Sequence, residues 1–111
     1  MAEYIPQRGD FISLTFNRQS GHEQRGRRPA LVVSNDLFNR HTGLCVVCPI
    51  TNTRREYPFH VAIPEGHPVT GLVMVEQVKS VDYRARRVAR IAAAPEPVLQ
   101  EALSILDACI Y

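Results

Sequence analysis

The sequence predicts a mainly β protein of the β-rich α+β kind, with a small curved antiparallel sheet or partial barrel, a short connector helix and a C-terminal amphipathic helix. Short apolar stretches separated by turn residues fill most of the chain. Near the end of the chain, the spacing of the apolar residues changes from every second position to every third or fourth position. At 111 residues the chain is expected to form one domain, residues 1–111, with a modest core that pairing with a second copy would enlarge.

Seven stretches have the pattern of strands. The first alternates Ile12, Leu14 and Phe16 with polar residues, which is the period of a half-buried strand. Short strands of this kind suit a small barrel or a strongly curved sheet. The other six predicted strands are residues 30–34, 44–50, 59–63, 71–75, 78–81 and 88–91.

Two segments are predicted to be helices. Residues 35–43 have Asn35 or Ser34 as N-cap and Gly43 as the C-terminal stop of a connector helix. From Glu96 to Ile110 apolar residues recur every three or four positions, and a proline fits the first turn. The polar face of this second helix is acidic, so we expect it to cover the sheet and not to bind a membrane.

Composition limits the class of protein. The first residues lack the basic region and the apolar run of a secretory signal peptide. No stretch approaches the roughly 20 apolar residues that are needed to span a bilayer, so a cytoplasmic location is expected. It has no phosphate-loop glycine pattern, which disfavours nucleotide hydrolysis, and no recognisable Ser-His-Asp set.

The basic residues are almost all arginine. The net charge is only +2, and Lys79 is the single lysine among the 13 cationic residues. Arginine grips phosphate with a planar fork and stacks on bases, although a GC-rich genome would give the same bias. The arginines lie near predicted strand ends and could build one basic face. Their three groups are Arg25/Arg27/Arg28, Arg54/Arg55 and Arg84/Arg86/Arg87/Arg90.

The cysteines and histidines do not predict a metal site. Cys45 and Cys48 have the spacing of a metal pair, but residues three apart in a strand point to opposite faces. We therefore interpret them, with Cys109, as small apolar core residues in a reducing compartment. The histidines at positions 41, 60 and 67 show no metal-ligand spacing and are interpreted as structural. No metal or cofactor is expected.

Two loops carry the reactive groups. A polar loop, residues 21–28, runs into a strand through Pro29, and this places Arg28 where the scaffold meets solvent, a suitable position for an anion-binding arginine. The strand at 44–50 leads into Thr51-Asn52-Thr53-Arg54-Arg55, where hydroxyl and guanidinium groups cluster.

These two segments, in this order, together with Tyr57-Pro58-Phe59 and Glu76-Gln77-Val78-Lys79-Ser80, resemble the MazF/PemK/Kid family of toxin endoribonucleases. The resemblance runs from Gly9-Asp10 past Arg84-Ala85-Arg86 to the C-terminal helix. It implies an SH3-like, PemK-like sheet and a metal-independent toxin of a toxin–antitoxin system. Such a toxin cuts single-stranded mRNA at a short sequence by 2′-hydroxyl attack, leaves 2′,3′-cyclic phosphate and 5′-hydroxyl ends, and inhibits translation and growth.

The resemblance implies that Arg28 and Thr51 are catalytic. Arg28 would stabilise charge on the phosphoryl oxygens and assist the leaving group, while Thr51 would hydrogen-bond a phosphoryl oxygen or the 2′-oxygen. The pKa of arginine exceeds about 12, so a second titratable group would ease proton transfer. His22 matches a histidine of some relatives and is either catalytic or a solvated loop residue. Glu23 is either a proton-transfer group or the group that orients Arg28.

Further family positions imply RNA contacts. Glu76 replaces what is usually an aspartate, and Met74 stands where one branch has arginine. Gln77 would read a base edge or satisfy the backbone, and Arg84 and Arg86 would bind RNA or remain ordinary solvated surface. The predicted RNA-binding residues are Arg25, Arg27, Asn52, Thr53, Arg54, Glu76, Gln77, Lys79, Arg84 and Arg86.

The resemblance also implies partners: a second copy in a symmetric homodimer that holds RNA in its groove, and a MazE-like antitoxin whose acidic, disordered tail competes for that groove. One alternative is a CcdB-like toxin that poisons gyrase without catalysis. Those toxins share the fold but rely on a C-terminal tryptophan, and this sequence has no tryptophan. A non-catalytic RNA-binding barrel is the other alternative.

Overall fold

The computed structural model describes residues 3–15, 26–53 and 57–111. Within these ranges seven strands and two helices are present, and every strand pair is antiparallel, which confirms the predicted mainly β fold. A short 3-10 helix, Val75–Gln77, follows the fifth strand. The elements are β1 (Asp10–Leu14), β2 (Arg28–Val32), α1 (Asp36–Thr42), β3 (Leu44–Thr51), β4 (His60–Ala62), β5 (Leu72–Met74), β6 (Lys79–Asp82), β7 (Ala89–Ala93) and α2 (Glu96–Ile110).

The long strand β3 organises the sheet. The strand order is β4-β5-β3-β2-β1-β7, and β6 pairs with β3 beside this path. One part of β3 pairs with β6 from Leu44 to Val47, and its last two residues, Ile50 and Thr51, pair with β5. Since β2 also pairs with β3, the sheet brings the start of β2 and the end of β3 into neighbouring strands. Arg28 and Thr51, the strand-end residues of the two segments predicted to carry reactive groups, therefore lie at the same end of the sheet.

Strand β1 is more buried than its alternating pattern predicts. Ile12 and Leu14 are fully buried and Ser13 between them is only partly buried, which confirms the predicted alternation, but Phe11 is fully buried as well. Phe11 belongs to the core between the sheet and α2, whereas Ile12 and Leu14 belong to a second core on the other face. A curved sheet encloses apolar side chains on its concave face as well, and this accounts for burial on both sides. Phe16 lies outside the described residues.

Both helices form where the sequence predicts them. The Asn35 side chain caps α1 by accepting a hydrogen bond from the Phe38 N–H at 2.9 Å, and Gly43 ends the helix at a φ of 76°. Helix α2 has the predicted bounds and buries Val98, Leu99 and Ala102 against the sheet. In the described ranges, neither helix is long and apolar enough to cross a bilayer.

The cysteines divide between core and surface. Cys45 and Cys48 are fully buried in different cores, which confirms that they face opposite sides of β3. Cys109 is exposed on α2, so the prediction that it is a core residue is wrong. It lies in the last turn of the helix, beyond the residues that α2 buries against the sheet.

This arrangement predicts thiol reactivity. Burial raises the pKa of the Cys45 and Cys48 thiols to about 12, and the Glu76 charge adds to the shift at Cys48. Both groups remain protonated at pH 8 and are inaccessible, whereas thiolates are the reactive species. We expect iodoacetamide to alkylate Cys109 rapidly in the native protein, and all three cysteines only in denaturant. Mass spectrometry of the modified peptides measures this, and rapid native labelling of Cys45 or Cys48 would contradict it.

Candidate functional site

The end of β3 separates two clefts. Thr51 is the last residue of β3, and its hydroxyl oxygen accepts a hydrogen bond from the Thr53 N–H at 3.1 Å, which closes a tight turn. The Asn52 side-chain oxygen accepts a hydrogen bond from the Thr70 hydroxyl at 3.1 Å. The segment Thr51–Thr53 is thus fixed by an internal turn and by a hydrogen bond from Thr70, with Thr51 and Thr53 lining one cleft and Asn52 lining the other.

The cleft on the arginine side, which we call the Arg28 cleft, has a volume of about 280 Å³. Arg28 is the first residue of β2 and is exposed, as its position before a buried strand predicts. Its neighbour Arg27 donates hydrogen bonds to the Ser13 carbonyl oxygen at 2.9 Å and to the Arg87 carbonyl oxygen. Two guanidinium groups on a strand end give this cleft the charge to bind an anion. Its lining includes Ser13, Arg27, Arg28, Asn52, Thr70 and Ile91.

The cleft on the other side, which we call the His60 cleft, has a volume of about 350 Å³. The buried Val75 anchors the 3-10 helix in the core, and the exposed residues that follow it, Glu76 and Gln77, line the cleft. Gln77 is therefore a surface amide and not a buried one. The cleft is lined by Thr51, Thr53, Tyr57, His60, Met74, Glu76 and Gln77.

His60 and Glu76 form a pair in this cleft. The His60 Nε2 atom lies 3.1 Å from Glu76 Oε2, and the His60 side chain is only 6% exposed. The Tyr57 ring covers the imidazole, with 5.0 Å between the ring centroids. His60 faces Met74 across the β4–β5 pair, so Glu76 two residues later comes within reach. The cleft therefore contains a carboxylate, an imidazole, hydroxyls and an amide.

The other predicted arginines are engaged elsewhere in the fold. Arg84 forms a bidentate ion pair with Glu3, which holds the pKa of that carboxyl below its usual range. Arg86 donates to the Thr15 carbonyl oxygen at 3.0 Å, and Arg90 lies 3.3 Å from the buried Asp10 carboxylate. Arg27 and Arg86 converge on the end of β1, but Arg84 and Arg90 bind acidic residues of the N-terminal part. The described arginines thus share several roles instead of forming one basic face.

The clefts contain a subset of the predicted residues. Thr51, Thr53, Glu76 and Gln77 come together in the His60 cleft, and Arg27, Arg28 and Asn52 in the Arg28 cleft. Of the described candidates, Lys79, Arg84 and Arg86 line neither of these clefts. Four predicted residues lie outside the described ranges: His22, Glu23, Arg25 and Arg54. In residues 3–15, 26–53 and 57–111, no group of three His, Cys, Asp or Glu side chains is placed to hold a metal ion.

Sequence reasoning missed His60 and Tyr57 as members of the site. The sequence interpretation gave His60 a structural role because it lies on a strand and has no metal-ligand spacing. Its partner Glu76 is 16 residues away and becomes a neighbour only through the β4–β5 pairing. The aromatic pair Tyr57 and Phe59 flanking a proline directly before His60 was the available signal.

The sequence matches a protein-family model and several named relatives. Residues 7–110 match the model of the PemK-like, MazF-like toxins of type II toxin–antitoxin systems. The chain is 40% identical over 86 residues to the endoribonuclease toxin MazF of Escherichia coli K12, covering 78% of this chain and 77% of that protein. It is 42% identical over 109 residues to the endoribonuclease toxin ChpB of the same strain, and this match covers 94% of this chain and 93% of that protein.

Solved structures show the same fold. A crystal structure of MazE–MazF (Form-II) from Deinococcus radiodurans superposes with a TM-score of 0.90 at 42% identity, covering 97% of each chain. A mycobacterial endoribonuclease in complex with its cognate antitoxin has a TM-score of 0.76 at 26% identity, covering 95% of this chain and 94% of that one. The match spans nearly the whole chain in sequence and in structure, so this protein belongs to the PemK-like, MazF-like toxin family of type II toxin–antitoxin systems.

Proposed function

We propose that this protein is a metal-independent endoribonuclease that cuts single-stranded RNA at a short sequence. The 2′-hydroxyl next to the scissile phosphate attacks phosphorus, the bond to the 5′-oxygen breaks, and the products carry 2′,3′-cyclic phosphate and 5′-hydroxyl ends. The observation that carries the proposal is the pair of clefts on either side of Thr51–Thr53: one supplies guanidinium groups, and the other supplies hydroxyl, carboxylate and amide groups.

An RNA phosphodiester contains its own nucleophile. Cleavage therefore requires positioning, transfer of the 2′-hydroxyl proton, a proton for the leaving oxygen, and stabilisation of charge on the phosphoryl oxygens. In this proposal Arg28, exposed at the start of β2, stabilises that charge. Thr51 lies at the end of β3, lines the His60 cleft, and donates its hydroxyl hydrogen to a phosphoryl oxygen or to the 2′-oxygen. His22 or Glu23, which precede Arg28 in the sequence, is proposed to take part in proton transfer.

The His60 cleft is suited to an unpaired nucleotide. Tyr57 offers an exposed aromatic ring for stacking, and Gln77 offers an amide that can both donate to and accept from a base edge. A base in a duplex does not expose its edge to so small a cleft, so single-stranded RNA is the expected substrate. Asn52 and Thr53, between the clefts, complete the proposed RNA contacts together with Arg25, Arg27, Arg54 and Lys79.

Two partners belong to the proposal. An antitoxin with an acidic segment would compete with RNA for the Arg28 cleft, and structures of relatives with bound antitoxin support such a partner. A symmetric homodimer, as the family resemblance implies, would extend the two clefts into a longer groove. The named endoribonuclease relatives favour this function over gyrase poisoning or RNA binding without cleavage.

The proposal is tested by incubating the protein, with a chelator present, with a long RNA of mixed sequence and with single-stranded DNA of the same sequence. We expect discrete cuts in the RNA at one short motif, 5′-hydroxyl and cyclic-phosphate ends, and intact DNA. Cuts that require added Mg²⁺, or binding of RNA with no cut at any concentration, would contradict the proposal. Addition of an acidic antitoxin segment is expected to suppress the cuts.

A further inference from the structure

The Arg27 side chain joins three separate parts of the fold. Arg27 lies directly before Arg28, the first residue of β2. Its Nη2 atom donates to the carbonyl oxygen of Ser13, in β1, at 2.9 Å and to the carbonyl oxygen of Arg87, shortly before β7. The Ser13 hydroxyl oxygen accepts from Nε at 3.3 Å and from Nη2 at 3.2 Å. One guanidinium group thus links the end of β1, the start of β2 and the turn that leads into β7.

The β1–β2 ladder lacks a backbone donor at this point. Ser13 pairs with Pro29, which has no N–H and can donate no ladder hydrogen bond. The next pair, Leu14 with Arg28, ends the ladder. Strand ends with few backbone hydrogen bonds fray, so a side chain carried on such an end is poorly fixed. Arg27 donates to Ser13 from its side chain instead and thereby holds the strand end that carries Arg28.

The turn on the acceptor side, residues 82–88, is rigid. Backbone hydrogen bonds close it, and Tyr83 anchors it because its buried ring belongs to the second core and its hydroxyl donates to the Asn39 carbonyl oxygen at 3.0 Å. Among the described residues, Arg87 is the only non-glycine residue with a positive φ, 55°. Residues in this sparsely populated region persist where the surroundings hold them, and they cluster at functional sites. The carbonyl oxygen that Arg27 contacts therefore belongs to a fixed and strained part of the backbone.

We propose that Arg27 is a positioning residue for RNA cleavage: by binding the Ser13 and Arg87 carbonyl oxygens, it fixes the strand end from which Arg28 reaches the scissile phosphate. This inference rests on the proposed function and adds to the RNA contact proposed for Arg27. Arg27, Arg28 and Ser13 line the same cleft, so a shift of the strand end moves the wall that carries Arg28. A displacement of about 1 Å at a reacting group costs up to roughly 100-fold in rate.

The planar fork of arginine is what this role requires. Nε and Nη2 lie along one edge of the guanidinium group, and this edge meets both oxygens of Ser13 and the carbonyl oxygen of Arg87. A lysine has the same charge, but its ammonium group is a single centre on a flexible stem and does not reproduce this set of directions. Attraction of RNA depends on the charge of residue 27, whereas positioning of Arg28 depends on the fork.

Arg27→Lys separates these two properties. We expect it to lower kcat by about 10-fold or more with KM within about twofold, because the charge that attracts RNA is kept and the fork is lost. Arg40→Lys is the matched control, since Arg40 lies on the surface of α1 and pairs with Asp36 at 3.3 Å, and it is expected to leave both constants unchanged. A parent-like kcat in Arg27→Lys would overturn the inference.

A double-mutant cycle identifies the residue through which Arg27 acts. Single-turnover rates are measured for the parent, Arg27→Lys, Arg28→Ala and the double variant. If Arg27 acts by placing Arg28, its substitution is expected to lower the rate by less than about twofold when Arg28 is already alanine. Equal fold-losses in both backgrounds would show that Arg27 acts independently of Arg28, and the inference would be wrong.

Melting temperatures distinguish positioning from a role in folding alone. Arg27 is exposed, so its replacement by lysine is expected to lower the melting temperature by no more than about 4 °C. A much larger drop, with a cleavage rate that returns to the parent value at lower temperature, would assign Arg27 to stability and overturn the inference while the function stands. If the parent protein cuts no RNA, the proposed function itself is wrong and the inference falls with it.

Discussion

Replacement of Arg28 by alanine is expected to lower the rate of RNA cleavage by about 100- to 1,000-fold, the usual effect of removing a donor that stabilises charge in the transition state. Arg28 is exposed at the start of β2 and lines the cleft that also contains Arg27 and Asn52. Affinity for a non-cleavable RNA is expected to fall by less than about tenfold, since one of several phosphate contacts is lost. Single-turnover rates and binding to an RNA with a blocked 2′-oxygen measure the two effects separately.

Two further variants sharpen this prediction. Arg28→Lys keeps the charge but loses the planar fork, so its rate is expected to lie between those of the parent and Arg28→Ala. Arg40→Ala removes a surface arginine that pairs with Asp36 at 3.3 Å on α1, and it should cleave at the parent rate. Equal loss of binding and cleavage in Arg28→Ala would assign Arg28 to RNA binding alone.

Replacement of Gly71 by alanine is expected to destabilise the protein by about 2–3 kcal/mol and to lower cleavage by about 100-fold. Gly71 has a φ of 117°, and a Cβ atom there would lie 2.3 Å from the Thr51 carbonyl oxygen and 3.0 Å from the Asn52 side-chain oxygen. The neighbouring backbone is part of β3, so it cannot yield without moving the segment between the two clefts. Urea denaturation and cleavage rates on the folded fraction measure both effects.

Gly66 provides a matched control. It also has a positive φ, 94°, but a Cβ atom there would meet nothing within 4 Å. Gly66→Ala is therefore expected to cost only the backbone strain, about 1–2 kcal/mol, with cleavage by the folded protein unchanged. If both alanine variants lost activity to the same extent, the close approach of Gly71 to Thr51 would not be what positions the site.

Local patterns predicted most of the fold. The caps Asn35 and Gly43 act within one turn of α1, and the apolar period of α2 is a property of consecutive residues, so both helices could be found from sequence. Burial of β1 on both faces could not, because it depends on how the sheet curves around Ile12 and Leu14. The exposure of Cys109 likewise depends on how much of α2 the sheet covers.

The part of the candidate site that could be predicted from sequence consists of residues at the ends of strands. Arg28 and Thr51 lie at strand ends that pairing of β2 with β3 brings together. The contact between His60 and Glu76 depends on the register of β4 against β5, which no local pattern specifies. The ion pair of Arg84 with Glu3 likewise joins residues far apart in the sequence, and the sequence left Arg84 as either an RNA contact or ordinary solvated surface.

In the proposed reaction the RNA supplies its own nucleophile, and this protein positions the reacting groups and stabilises the charge that develops on the phosphate. The most direct measurement replaces the one 2′-hydroxyl beside the mapped cut with hydrogen, in an RNA that is otherwise unchanged and contains a second, intact copy of the motif. We expect the altered site to remain uncut while the intact site in the same molecule is cut at the normal rate. Cleavage at the altered site at a comparable rate would show that water or a protein group is the nucleophile, and the proposed mechanism would then be wrong.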